Sequence, residues 1–160
     1  MSARVHHSAI HAHDIDASLR FYRDGLGLEV LMDHVFEGDW PALFEAPSSR
    51  LRSVFLGDRR QRDSGVVELV TFEGTGPSAP TPPVPANAGF FLLSFYVDVD
   101  EVLARLTGLG FGPIRRIEQP APTGSVSMAS LLDPDGVRIE LVDAGSVGSV
   151  GSVGSVGSDT

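Results

Sequence analysis

Hydrophobic positions along this chain follow two periods, and the same succession of them occurs twice. From Val5 to Ala12 the residues alternate as in a strand, with His7, Ala9 and His11 on one face and Ile10 and Ala12 on the other. Asp14-Ile15-Asp16 follows, and then Ile15, Leu19, Tyr22 and Leu26 recur at spacings of four, three and four, the stripe of an amphipathic helix. An Asp at the start and Gly25-Leu26-Gly27 at the end are the capping signals of that helix.

The second half repeats this order. A strand from Phe90 to Val97 leads into Asp98-Val99-Asp100, then a helix with Val99, Leu103, Leu106 and Gly110 on one stripe, then Gly108-Leu109-Gly110. Further strands are predicted over Leu51 to Leu56 and Val66 to Phe72 in the first half, and over Val126 to Leu132 and Val137 to Val142 in the second. Asp133-Pro134-Asp135-Gly136 is a turn between the last two. The predicted class is therefore α+β, two paired βαβββ modules forming a cup-shaped sheet, because each half alone is too small to bury a core. The modules span residues 1–73 and 89–143. Between them residues 74–88 form a linker with five prolines, and residues 144–160, a Gly-Ser-Val repeat with no aromatic, read as a disordered tail.

Composition narrows the function. The chain has 160 residues and a net charge of -9; all twelve of its Lys and Arg positions are Arg, and they are scattered. An acidic surface of that kind is repelled by phosphate backbones and anionic lipid, so neither nucleic acid nor a membrane is an expected partner. With no cysteine there is no disulfide, no thiolate nucleophile and no Cys-based metal site, so any metal must use His and carboxylates. Without a signal-peptide pattern or an apolar run near the ~20 residues of a membrane span, the expectation is a cytoplasmic protein.

Strand alternation singles out a few side chains. His7 and His11 share the face that does not meet the helix, Glu68 stands with Val66 and Val70, and Glu140 stands with Arg138 and Val142 between Ile139 and Leu141. An imidazole and two carboxylates converging in a cup would suit a divalent zinc, nickel, cobalt, manganese or iron ion. The spacing equally allows solvated carboxylates on half-exposed strands.

The opening His7-Ser8-Ala9-Ile10, then Asp14, then Ser18-Leu19-Arg20-Phe21-Tyr22-Arg23-Asp24-Gly25-Leu26-Gly27-Leu28, resembles the vicinal oxygen chelate superfamily. The closing Asp133-Pro134-Asp135-Gly136-Val137-Arg138-Ile139-Glu140-Leu141 is similar to its last strand, and the likeness covers residues 5–143. That superfamily includes glyoxalase I, methylmalonyl-CoA epimerase, extradiol dioxygenases and the bleomycin and fosfomycin resistance proteins. The resemblance implies metal ligands on the first and last strand of each module, here His7, Glu68 and Glu140, with Leu92 in the fourth ligand place. An alignment on Asp98 would put Phe91 there instead. Loss of that ligand argues against a dioxygenase or a fosfomycin-type enzyme. It leaves a metal-dependent isomerase or lyase acting on a small carbonyl compound through an enolate-type intermediate.

In that reading Glu140, Glu68 or His11 is the base. Leu92, Ser94 and Tyr96 line the cup, Arg52 meets a substrate anion, and Trp40, in a loop from Asp33 to Ala46, closes over an apolar ligand. The alternatives are a metal-free, antibiotic-binding resistance protein and a metal-free acid–base enzyme. The resemblance also implies a homodimer, with modules paired within or between chains.

Overall fold

A computed structural model describes residues 3–61, 65–74, 88–121 and 124–144. The first module runs β1 (His7–His11), α1 (Ile15–Leu19), a continuation of that helix as a π-helix (Arg20–Gly25), β2 (Glu29–Glu37), α2 (Trp40–Phe44), β3 (Arg50–Gly57) and β4 (Val66–Phe72). The second runs β5 (Leu93–Val97), α3 (Val99–Gly108), β6 (Arg115–Ala121), β7 (Gly124–Leu132) and β8 (Arg138–Asp143). Each module forms a four-stranded mixed sheet, in the orders β1-β4-β3-β2 and β5-β8-β7-β6. The outer strand after each helix is parallel to none of its neighbours, while β1 with β4 and β5 with β8 pair in parallel. The repeat seen in the sequence is thus a repeat of topology. The Pro-rich linker, apart from its end residues, and the Gly-Ser-Val repeat lie outside the described residues.

The helices begin and end where their caps require. Asp14 accepts from the backbone N–H of Asp16 and Ala17 (3.0 and 3.2 Å), and Asp98 from that of Glu101 (2.9 Å). Gly27 and Gly110 follow with φ of 81° and 86°, which a side chain would oppose. Two strands are not evident from alternation. Asp33 to Glu37, read as the start of a loop, belong to β2, whose register slips between Val30 and Met32 and so breaks the period of two. Likewise β6 carries charged and polar residues with a proline, a composition of edge strands.

One core serves both modules. Ile10, Val54, Leu56, Val67 and Leu69 of the first sheet and Ala129, Leu131, Ile139 and Leu141 of the second are buried with Phe21, Tyr22 and Leu106 in a single cluster. The helices of the two modules meet in it. Phe21 packs edge-on to Phe111 (5.1 Å), Arg105 Nε donates to the Gly25 carbonyl (3.0 Å), and Arg20 Nη2 to that of Leu109 (3.1 Å). At Gly25 the approach is so close that a Cβ would lie 2.4 Å from Leu106 Cδ2.

A second tie is polar. In the β7–β8 turn, Asp133 accepts from the N–H of Asp135 (2.9 Å) and Val137 (2.7 Å) and, across the modules, from the Tyr22 hydroxyl (2.6 Å). Asp135 accepts from Ser18 Oγ (2.6 Å) and from the His13 N–H (2.6 Å). Because the modules pair through their helices, the His7 face of one sheet and the Glu140 face of the other are both turned away from the shared core. Among the described residues, no helix is long and apolar enough to cross a membrane.

Candidate functional site

The outward face of the first sheet is a hollow of about 670 Å³. Its floor comes from residues of four strands in register: Ala9 opposite Glu68, Glu68 opposite Phe55, and Met32 opposite Phe55. His7 and His11 stand on β1, Leu51 on β3, and Val70 and Phe72 on β4. Over one side Phe36, Trp40 and Phe44 make an aromatic wall, with the rings of Trp40 and Phe44 stacked 5.8 Å apart at 6°. Trp40 lies on Gly38, where a Cβ would come within 2.9 Å of its ring, and its Nε1 donates to the Phe36 carbonyl at 3.4 Å.

Within this apolar surface sits one buried polar group, Glu68. One of its oxygens accepts from Ser53 Oγ, and the other lies 3.0 Å from His7 Nε2. The His7 ring is held edge-on against Phe55 at 5.4 Å, and its Nδ1 is 2.7 Å from Nδ1 of His6. With Nε2–H donated to Glu68, Nδ1 of His7 accepts from His6, so Ser53 and His6 orient the pair from either end. Loss of the Nε2 proton would leave a nitrogen and a carboxylate oxygen aimed at one point. That is the donor chemistry of half a divalent-metal site.

Glu140 is elsewhere. It lies with Phe91, Leu92, Met128 and Arg138 in a hollow of about 360 Å³ on the second sheet. Its place there repeats that of Glu68: Ser94 pairs with Glu140 as Ala9 pairs with Glu68, so Leu92, two residues before Ser94, stands where His7 stands in the first module. The register therefore favours Leu92 over Phe91 as the equivalent position. His7, Glu68 and Glu140 do not come together within one chain, and no group of three or more His, Asp or Glu among the described residues could hold a metal ion. A single copy does not fit a three-ligand metal.

Of the other expected residues, Trp40 and His11 line the first hollow, His11 edge-on to Phe72 at 5.3 Å, and Leu92 lines the second. Tyr96 is exposed, and Ser94 lies beside Glu140 in the sheet without lining that hollow. Arg52 lies outside both. It pairs with Val35 and Thr71 in register, on the face of Val54, and its guanidinium makes two hydrogen bonds to Asp33 (3.0 and 2.7 Å). That pairing holds the Asp33 carboxyl below its ordinary range. Ser53 and His6 were not singled out by pattern, although Ser53 is a lone small hydroxyl between Leu51 and Phe55 on their face of β3, beneath the lining of the hollow.

Known proteins share this fold and sequence. A lactoylglutathione lyase-like protein of Aspergillus terreus is 36% identical over 149 residues, covering 86% of this chain and 74% of its own length. A probable lactoylglutathione lyase of Synechocystis is 28% identical, covering 88% and 95%. Among solved structures, the trypanothione-dependent glyoxalase I of Leishmania major superposes with a TM-score of 0.61 at 27% identity, covering 91% of this chain and 90% of that one. A glyoxalase family protein of Bacillus cereus, 19% identical, shares the fold with a TM-score of 0.70 over 89% and 95% of the two chains. Residues 4–141 match the family as a whole, and this chain belongs to the glyoxalase/bleomycin resistance protein/dioxygenase superfamily.

Proposed function

We propose that this protein is a glyoxalase-type lyase or isomerase for a small carbonyl compound, and that its working site is completed by a second copy of the chain. The observation that carries the reading is the His7–Glu68 pair, 3.0 Å apart on the floor of an apolar hollow, with Glu140 at the equivalent place on the opposite module. His7 and Glu68 of one copy with Glu140 of another would hold a divalent ion. When bound, the ion supplies a Lewis acid for a carbonyl or enediolate oxygen.

The chain's own residues supply the rest. Glu68, with one oxygen held by Ser53, would present the other, when it is off the ion, to the hollow as a base for the proton on the carbon beside the carbonyl. On the same strand face, His11 is placed to return a proton from the wall, too far along β1, roughly 13 Å by strand rise, to share ligation with His7. Apolar walls keep water from the enolate-type intermediate. Pairing of copies accords with the apolar side chains left open on both outward faces: Met32 and Phe44 on the first, and Phe91, Tyr96 and Ile117 on the second.

Elemental mass spectrometry of the purified chain tests this. One ion per chain, at about one equivalent for a symmetric pair, and near none in a His7→Ala, Glu140→Ala double variant is the expected result. No ion after incubation with nickel, cobalt, zinc, manganese or ferrous iron would overturn it. The second reading, a metal-free binding protein, is favoured by one feature, the apolar Leu92 in place of a ligand. It requires ligand binding indifferent to chelator and to His7→Ala.

A further inference from the structure

The Glu140 hollow is lined by two arginines, Arg115 on β6 and Arg138 on β8. Register puts both on one face with the carboxylate. Arg115 pairs with Ser130 and Ser130 with Glu140, in one row across β6, β7 and β8, while Arg138 precedes Glu140 by two residues on β8. By strand spacing and rise, the Cα atoms of Arg115 and Arg138 lie roughly 10 and 7 Å from that of Glu140. Elsewhere the arginines of this chain are engaged: Arg50, Arg52, Arg59, Arg60, Arg105 and Arg116 each form an ion pair with a carboxylate. The side chains of Arg115 and Arg138 have no hydrogen bond or ion pair among the described residues, and neither closes onto Glu140. Around them the lining is apolar, from Phe91, Leu92, Ile117 and Met128. On a chain with a net charge of -9 this is a local concentration of positive charge.

Pairing of two copies over this face turns an open pair of cations into a covered one. A guanidinium that loses water without gaining a partner is costly to bury. A divalent ion on His7, Glu68 and Glu140 is already balanced by its two carboxylates, so the guanidiniums add positive charge in excess of it. Each presents a planar fork of N–H donors, the match for the oxygens of a carboxylate or a phosphate. We propose that Arg115 and Arg138 hold an oxyanion on the substrate, which is therefore an anionic carbonyl compound. Its charged group lies on the Glu140 side of the site and its carbonyl toward His7 and Glu68 of the other copy. The orientation rests on the lyase reading, with its site completed by a second copy. The hollow itself belongs to one chain, so oxyanion binding can be read without metal or turnover.

The full-length protein, stripped of metal over chelating resin and kept in Tris-chloride free of other oxyanions, is titrated by calorimetry with naphthalene-2-carboxylate, 2-naphthyl phosphate and 2-naphthamide. The probes share one apolar body and differ in the charge of the head. At least one anion is expected to bind tenfold or more tighter than the amide, and the tighter of the two identifies the group. In an Arg115→Gln, Arg138→Gln double variant that preference should vanish while the affinity for the amide is kept. Arg60→Gln removes the same charge from an ion pair outside the hollow and should leave the preference unchanged. In the wild type, the Nε–H resonances of Arg115 and Arg138, and not that of Arg60, should move during the titration, a reading that does not depend on the variants folding. Equal affinity for anions and amide would overturn the proposal, as when Glu45, which lines the first hollow, took up the arginines across the pair. So would a preference that survives the double variant. A chain that selects anions but takes up no metal keeps the arginine site and loses the lyase mechanism; one that takes up metal but does not select anions keeps the mechanism and loses the arginine site.

Discussion

Ser53 shows how one hydroxyl can organise a site. It is buried, it donates to the buried Glu68, and it leaves the second carboxylate oxygen for His7. Removing the hydroxyl leaves a desolvated carboxylate oxygen short of a donor, which costs about 1–3 kcal/mol. Ser53→Ala is accordingly expected to lower stability by that amount in urea unfolding, with no change in the slope against denaturant. The variant should also bind metal less tightly, because a carboxylate free to rotate pays for its own ordering. A neutral result in both would mean that Glu68 is held by its backbone and by His7 alone. Arg52 makes the complementary point: moving one position along a strand exchanges the hollow for the opposite face.

At the scale of elements, the β7–β8 turn does more than reverse the chain. Asp133 caps its own turn and reaches Tyr22 on the helix of the other module, beside Asp135, which accepts from Ser18 and His13 of that module. Burial pushes the Asp133 carboxyl up to about 6, against the opposing effect of the Tyr22 hydroxyl and the two N–H donors, which favour the charged form; burial beside this acid also raises the tyrosine. A carboxyl whose folded value lies above its unfolded 3.8 holds its proton longer in the native state. Its stabilising contribution is complete below about pH 4 and is lost as pH rises to about 6, with a slope of up to about 1.4 kcal/mol per pH unit. Unfolding free energies compared between pH 4 and 7 should show this fall in the wild type and not in Asp133→Asn. Tyr22→Phe removes a donor to the charged form, so the midpoint should move above 6, as read from the carboxyl carbon resonance of Asp133.

For the whole molecule, the decisive arrangement is that the His7–Glu68 face and the Glu140 face are both turned away from a common helical core. A chain built this way leaves Phe91, Tyr96 and Ile117 in water, 55%, 68% and 57% exposed, on the very face that carries Glu140. Pairing of two copies across the outward faces would cover them and bring Glu140 to His7 and Glu68. Sedimentation should therefore show a dimer, and Ile117→Asp should yield single chains that retain their melting temperature and lose bound metal together. A wild-type chain that sediments as a monomer would remove this pairing. The exposed position of Ile117 makes the variant safe for folding, since no core contact is lost.

Local codes were legible in the sequence. The alternation in β1, β4 and β8, the Asp caps, the glycines after each helix and the internal repeat all act over a few residues, and each places its element without help from distant parts of the chain. For that reason the modular α+β fold, and the strand face away from the helices that His7 occupies, could be read directly, whereas the expected convergence of His7, Glu68 and Glu140 in one cup does not occur within the chain. Where local pattern was interrupted, it misled: the bulged β2 passed for a loop, and Arg52 seemed available to an anion although its neighbours Val54 and Leu56 are core. Only the tertiary structure decided that the modules join through their helices, that Ser53 and His6 flank the metal-type pair, and that Glu140 stands apart from it. The reason is physical. Period and capping specify which side of an element seeks burial, but two amphipathic modules can bury those sides in more than one mutual arrangement, and the choice rests on long-range contacts such as Gly25 against Leu106 and Tyr22 against Asp133.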